Sequence, residues 1–385
     1  MEKKEKKTEA EMPEEVKKAP AVEAAKEEVK AEAKEEAKED VKEEAKEEAK
    51  KEEPAAEVAA PKDEIQKFSE SVTAMKTELH KDIIGQEEVI DDVIIAVVAG
   101  GNVLLEGVPG TGKTRLVRSL SQTLSLPFSR IQFTPDLMPN DVTGTNIIRK
   151  NQAGDLVMTF QPGPVFAQIL LADEINRATP KTQAAMLEVM QEHKVTVSGK
   201  TYEMKEPYFV LATQNPVEQD GTYPLPEAQM DRFMFKVEMK FPTVKELGDI
   251  VNLTQATQAE RATKVVDGPR IMAMRALAEK VPVIPEVLEY AMNLVHNTHC
   301  ELENPSEVAK KYVRYGASPR AGQGLVTGAK IRALIHGNYN VSYDDIDALA
   351  YPVLRHRIKI NYNAINEGLS IDDVIGLLIK ENRKK

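Results

Sequence analysis

Gly107-Val108-Pro109-Gly110-Thr111-Gly112-Lys113-Thr114 is the stretch that decides how this chain folds. It matches G-x-x-x-x-G-K-T in full, and its surroundings are those the motif requires. Before it, Asn102-Val103-Leu104-Leu105-Glu106 reads as a short buried strand. After it, residues 113–124 read as a helix. Strand, glycine turn and helix together make a phosphate cradle. The glycines let backbone N–H groups approach an anion, and the helix N-terminus adds partial positive charge. Lys113 is expected to reach the β- and γ-phosphates of a nucleoside triphosphate, and Thr114 to hold a magnesium ion.

Working outward, further strands are expected at 169–173 (Ile-Leu-Leu-Ala-Asp) and 208–213 (Tyr-Phe-Val-Leu-Ala-Thr). Helical patterns separate them, which argues a parallel sheet covered by helices on both faces. Upstream, Ile65, Phe68, Val72, Met75 and Leu79 fall on one face of an amphipathic helix over 62–81, and 86–100 reads as a second helix. Beyond Phe241 the strand signal fades. Residues 243–385 read as helices, with breaks at Gly268-Pro269, Pro282, Pro285, Asn304-Pro305 and Pro352. Three parts follow: a low-complexity tail over 1–61, an α/β core over 62–241, and an all-helical domain over 242–385.

The tail is Lys/Glu/Ala, with lysine at 34, 38, 42, 46 and 50. A repeat of four advances about 40° per step around a helix, so its alanines spiral and build no fixed apolar face. A solvated tail, disordered or partly helical, is expected; a docking arm for a basic partner is the alternative. Residues 1–64 hold 15 lysines and 23 acidic residues, so they carry −8 of the formal charge of −11. The remaining −3 gives the folded part no basic footprint for nucleic acid by net charge, which leaves a local basic patch open. Cys300 is the one cysteine, which excludes an internal disulfide and fits a reducing compartment; it reads as a small core residue rather than a reactive thiol. The N-terminal lysines are not followed by an apolar run, so no secretory signal is read. No stretch approaches the ~18–20 apolar residues of a membrane span. A soluble cytoplasmic protein is expected.

Asp173 and Glu174 close the second strand, where an open parallel sheet presents its ligands. One carboxylate there can take the magnesium ion, the other can orient the attacking water; Asp173 is assigned to the metal and Glu174 to the water. Asn215, after the third strand, is placed to reach the γ-phosphate or the water. Arg232, in Asp231-Arg232-Phe233, is either an arginine finger for charge on the transferred phosphoryl group or a salt-bridge partner of Asp231. Arg320, in Gly316-Ala317-Ser318-Pro319-Arg320, either reaches the nucleotide from the helical domain or is a plain surface arginine. Arg177 is a further candidate for a phosphate contact. His296 and His299 lie three apart, a spacing more common in packing than in metal binding.

In this order, the motifs resemble the AAA+ ATPases and, within them, the MoxR family. The resemblance rests on 171–178 (Leu-Ala-Asp-Glu-Ile-Asn-Arg-Ala) as Walker B, 211–216 (Leu-Ala-Thr-Gln-Asn-Pro) as sensor 1, 221–233 as the arginine-finger stretch and 316–320 as sensor 2. It covers about 65–380 and implies a three-layer αβα P-loop core with a helical lid. It implies ATP and Mg²⁺ at a subunit interface, Arg232 acting in trans, and a homo-oligomeric ring, usually a hexamer. Ile84 and Gly85, in Ile83-Ile84-Gly85-Gln86, resemble the segment that contacts adenine. Residues 141–160 resemble an inserted β-hairpin and 193–206 a hairpin before sensor 1, both facing the pore in such rings. The family resemblance implies chaperone-like maturation of other proteins, often with von Willebrand A-domain partners; the client is not named by any motif. A nucleic-acid-stimulated motor and a nucleotide-switched binding module with little turnover are the competing functions.

Overall fold

The computed structural model describes residues 62–152, 154–215, 221–255 and 261–384. The tail expectation for 1–61 and Pro216 of the sensor 1 stretch lie outside the described residues. In chain order the elements are α1 (Lys62–Asp82), α2 (Glu87–Ala99), β1 (Val103–Glu106), α3 (Lys113–Leu124), β2 (Phe128–Gln132), α4 (Pro139–Thr143), β3 (Gly144–Lys150), β4 (Leu156–Pro162), β5 (Ile169–Asp173), α5 (Pro180–Glu192), β6 (Lys194–Val197), β7 (Lys200–Glu203), β8 (Phe209–Gln214), α6 (Glu227–Met230) and β9 (Phe235–Glu238). Then follow α7 (Val244–Gln255), α8 (Gly268–Glu279), α9 (Pro285–His296), α10 (Glu307–Tyr312), β10 (Val313–Tyr315), α11 (Pro319–Ile335), α12 (Tyr343–Leu354), β11 (Lys359–Ile360), α13 (Tyr362–Asn366) and α14 (Ile371–Asn382).

Five strands form one parallel sheet in the order β2-β5-β8-β1-β9. Because the strands run the same way, β1, β5 and β8 all deliver their carboxyl ends to one edge, where an open α/β sheet binds ligands. The period of two divides the strand side chains between two cores. Val103, Leu105, Leu171 and Leu211 join the cluster under α1, α2 and α3, while Leu104, Leu170, Ala172, Val210 and Ala212 join the cluster under α5. That is the expected αβα sandwich. The central strands β1, β5 and β8 are buried throughout or nearly so. The flanking strands β2 and β9 escape sequence reading because they are half polar: β2 buries only Ile131, and β9 buries Phe235 and Val237 in alternation.

The five apolar positions expected on α1 are all buried. Helix α2 ends at Gly100, at φ 74°, and the Gly101 N–H returns to Ala96 O at 2.8 Å. This left-handed closure turns the chain straight into β1.

The second half departs from the all-helical expectation in two places. β10 and β11 form a short antiparallel ladder. Pro352 does not break the chain but sits inside α12, in its last turn. Gly268-Pro269 and Pro285 fall at helix boundaries as expected, each in the first turn of a helix, with Asp267 capping α8 by accepting from the Arg270 N–H at 3.0 Å. Residues 61–385 form one compact unit. Helix α11 packs on α1 and α2, and a Cβ on Gly328 of α11 would lie 3.1 Å from the Phe235 ring of β9. The change at 241/242 is therefore one of architecture, with packing continuous across it. Cys300 packs partly buried against this core, and burial raises its thiol pKa. His299 hydrogen-bonds Glu301 at 2.7 Å and Ala317 O at 2.9 Å, which fits the packing reading of that histidine.

Both expected hairpins are present. β3 and β4 pair from Gly144↔Pro162 to Lys150↔Leu156, and Ile148, Leu156 and Met158 stand exposed on them. β6 and β7 turn through Ser198 and Gly199, at φ 50° and 79°, two left-handed residues that match the twist of a tight hairpin. The Phe160 and Tyr202 rings stack at 4.2 Å and join the two hairpins, with Phe166 set edge-on to Phe160 at 5.6 Å. Among the described residues no helix is long and apolar enough to cross a membrane.

Candidate functional site

The turn between β1 and α3 adopts a conformation that glycine makes cheap. Gly110 and Gly112 have φ of 87° and 93°, and a Cβ on either would meet nothing within 4 Å. The backbone therefore faces open space. Above it lies a cavity of about 390 Å³ lined by the loop, Lys113, Thr114, Arg130, Asp173, Glu174, Thr213 and Asn215. Lys113 turns its ammonium onto the loop itself, donating to Gly107 O at 2.6 Å and Val108 O at 3.1 Å. Burial lowers its pKa, against the raising pull of Asp173 and Glu174.

Three strand ends converge on the carboxylates. Thr213 of β8 donates its hydroxyl to Asp173 Oδ1 at 2.5 Å and accepts the Glu174 N–H at 2.9 Å. One side chain thus fixes both acidic residues. Glu174 itself is left-handed, at φ 56°, an uncommon backbone for a non-glycine residue and a frequent mark of a functional turn. From β2, Arg130 donates to Asp173 Oδ2 through Nε at 2.9 Å and Nη2 at 2.6 Å, and Gln132 Nε2 donates to Glu174 Oε2 at 2.8 Å. Arg177 pairs with the same Glu174 oxygen at 3.0 Å. Arg130 and Gln132 were missed in the sequence because β2 was. The available signal was their i, i+2 spacing around buried Ile131, which puts both on one face of a strand.

The donor set suits a hard cation. The Thr114 hydroxyl lies 3.4 Å from Asp173 Oδ2, the oxygen that also accepts from Arg130, so two oxygens of the kind such a cation takes stand beside the phosphate loop. The described residues contain no group of three or more His, Cys, Asp or Glu side chains fit to hold an ion. Magnesium asks for no such cage, since it keeps waters and shares substrate phosphates. Asn215 is buried and lines the same cavity.

Four of the expected site residues lie elsewhere. Ile84 and Gly85 do not line this cavity. Gly85 is left-handed at φ 65°, and the Glu246 carboxylate fills the space a side chain would take. Arg232 and Arg320 line a different cavity, of about 350 Å³, together with Asp231 and Arg357. Arg232 Nη1 donates to Leu187 O at 3.2 Å. Asp231 pairs with Arg320 at 3.5 Å and Arg357 at 2.8 Å. The neighbouring-pair alternative for Arg232 and Asp231 is therefore replaced by two partners from the second half of the chain. Arg320 is exposed, with one long ion pair to Asp231, and it does not line the cavity over its own phosphate loop.

The family model for the ATPase family associated with various cellular activities matches residues 102–235, and that for the AAA lid domain matches 306–376. The chain is 38% identical to the chaperone MoxR1 of Mycobacterium tuberculosis over 79% of each chain. It is 40% identical to the uncharacterized YeaC of Bacillus subtilis, covering 77% of this chain and 89% of that one, and 31% identical to the protein MoxR of Paracoccus denitrificans, covering 72% and 86%. A solved structure from Cytophaga hutchinsonii, assigned as an ATPase, superposes with a TM-score of 0.77 at 38% identity over 84% of this chain and 98% of that one.

Proposed function

This chain belongs to the MoxR family of AAA+ ATPases, and we propose that it hydrolyses Mg-ATP in the cavity over residues 107–114 to remodel or mature partner proteins. Residues 62–241 act as the ATPase core and 242–385 as the lid, with 1–61 as a separate tail. The observation that carries the reading is the Thr213 bridge, which holds Asp173 and Glu174 together across the cavity from Lys113.

The loop amides and the start of α3 hold the phosphates, and Lys113 leaves its two carbonyl partners to bind the β- and γ-oxygens. Thr114 and Asp173 hold Mg²⁺, which when bound neutralises charge building on the phosphoryl oxygens. Glu174, held by Gln132 and Arg177, orients and deprotonates the attacking water. Asn215 aligns that water or the γ-phosphate. Ile84 and Gly85 take the adenine, which requires the Glu246 side chain to move aside.

Among the described residues, no cation from the second half of the chain lines this cavity. Arg232 and Arg320 share the other cleft, which favours a ring in which each copy offers both arginines to the nucleotide of the next. A hexamer is the proposed state. The chaperone named among the relatives supports work on partner proteins. Von Willebrand A-domain proteins are the proposed partners, in the cytoplasm.

The test is hydrolysis by the purified full chain with Mg²⁺ and the same assay on Glu174→Gln. The variant should bind ATP as the parent does and lose turnover by about 10²–10⁴-fold, the range for removal of a positioned base. Equal rates in parent and variant, or no rate in either, would overturn the assignment.

A further inference from the structure

The segment that carries Arg232 is held from the lid chiefly by one side chain. Arg357 lies in the turn between α12 and β11, with its side chain 3% exposed. Its Nε donates to Asp231 Oδ1 at 2.8 Å, Nη1 to Met234 O at 3.1 Å and Val353 O at 2.7 Å, and Nη2 to Asp231 O at 3.1 Å and Phe233 O at 2.7 Å. All five guanidinium N–H groups are used, four of them on residues flanking Arg232. The adjoining His356, fully buried, reaches Phe233 O through Nε2 at 3.0 Å. From the start of α11, Ser318 donates to Asp231 Oδ1 at 2.7 Å, and Arg320 pairs with Asp231 Oδ2 at 3.5 Å. Two distant parts of the lid therefore converge on one short stretch of the core.

We propose that Arg357 is a positioning residue for ATP hydrolysis. It clamps Asp231 and the 231–234 backbone to the lid, so that Arg232 and Arg320 move as one unit and are presented together to the nucleotide of the neighbouring copy. The inference rests on the reading of Arg232 as a trans-acting finger. The physical reason for arginine is its rigid fork. It satisfies a carboxylate and four carbonyls at once, which a lysine, with three donors on one nitrogen, does not. A surplus of buried carbonyls around a fixed charge also resists drift better than a single ion pair. The lid position thereby sets where the finger points, and a displacement of about 1 Å at such a group can cost on the order of 10²-fold in rate.

The test uses full-length Arg357→Lys and Asp231→Asn. Each leaves the phosphate loop intact and should bind ATP with the parent's affinity while losing at least about tenfold in turnover. Each is then mixed with Glu174→Gln, itself inactive. A clamp-defective copy keeps a complete hydrolysis site, and in a mixed ring it receives Arg232 from a neighbour whose clamp is whole. Turnover above the sum of the unmixed samples is therefore expected. A merely structural role would depress the variant's own site whatever its neighbour, and mixing would restore nothing. Arg232→Ala mixed with Glu174→Gln is the control. If that mixture gives no recovery, the trans reading fails and the clamp with it. If it recovers and both clamp variants do not, the clamp alone is overturned. Should Arg357→Lys not fold, Asp231→Asn decides the matter by the same two readouts. Turnover within twofold of the parent in Asp231→Asn also overturns the proposal.

Discussion

Thr213 donates to Asp173 Oδ1 at 2.5 Å while accepting the Glu174 N–H at 2.9 Å, so one hydroxyl sets the positions of both acidic residues at the site. Thr213→Val keeps the shape and removes both bonds. A buried acceptor and a buried donor lose their partner, at about 1–3 kcal/mol each before relaxation. Turnover should fall by about 10–100-fold, the usual cost of losing a residue that orients a ligand. Thr213→Ser should retain most of it. Steady-state ATPase rates on the three proteins, with melting temperatures to follow stability, check this; equal rates in Val and parent would remove Thr213 from the account.

Lys113 donates its ammonium to Gly107 O and Val108 O. Exchange of these neutral acceptors for charged phosphate oxygens should be favourable, since hydrogen bonds to charged groups contribute about 1.5–3 kcal/mol. Lys113→Ala should therefore weaken ATP binding by about 10–100-fold, measured by calorimetry in the Glu174→Gln background. Unchanged affinity would mean that the amides alone hold the nucleotide.

Chelation of divalent ions should stop turnover reversibly. In the proposed site Thr114 and Asp173 would hold the ion beside the phosphates, and it should leave with them. Asp173→Asn should require higher Mg²⁺ for half-maximal rate. A rate insensitive to chelator would remove the metal from the mechanism.

The hairpins meet through the Phe160–Tyr202 stack at 4.2 Å. Such a pair contributes about 0.5–1.5 kcal/mol beyond its buried area. Tyr202→Ala should leave ATPase activity without client within twofold, because neither Phe160 nor Tyr202 lines the phosphate cavity. It should speed hydrogen exchange of the β3–β4 amides. Unchanged exchange would show that the hairpins are held independently.

The phosphate loop, the central strands β1, β5 and β8 and helix α1 were legible because each carries its signal within a few residues. What was not legible is long-range and polar. β2 hides behind an edge-strand composition, and with it went Arg130 and Gln132, which bind Asp173 and Glu174. Arg357 lies over 120 positions from the segment it holds, and a lone arginine before a short strand carries no mark of burial. Asp231 beside Arg232 invited a local pairing, but adjacent side chains diverge while the fold brings Arg320 and Arg357 to the carboxylate. Pro352 misled for a different reason: proline removes an N–H and clashes with the preceding turn, but here it sits in the last turn of α12, where the helix ends within two residues.

Asp92 of α2 faces a cavity of about 480 Å³ between the core and the lid, lined also by Glu88, Asp91, Glu238, Lys240, Arg332, Arg355 and Asp372. Burial pushes its carboxyl up to about 7, with Asp91 and Glu88 adding to the rise and Arg355 and Arg332 opposing it. The folded protein therefore holds a proton that the unfolded chain, with an ordinary carboxyl near 3.8, releases. Between those values the folded state binds more protons, so stability must fall as pH rises. The favourable contribution is complete below about 4 and is lost progressively until the pH passes about 7. Asp92→Asn, which cannot ionise, should remove this part of the pH dependence and gain most over the parent at pH 8. Melting temperatures of both proteins at pH 5, 6.5 and 8 check it. Parallel curves would show that Asp92 ionises in the folded state as freely as in the unfolded chain, with Arg355 compensating its burial.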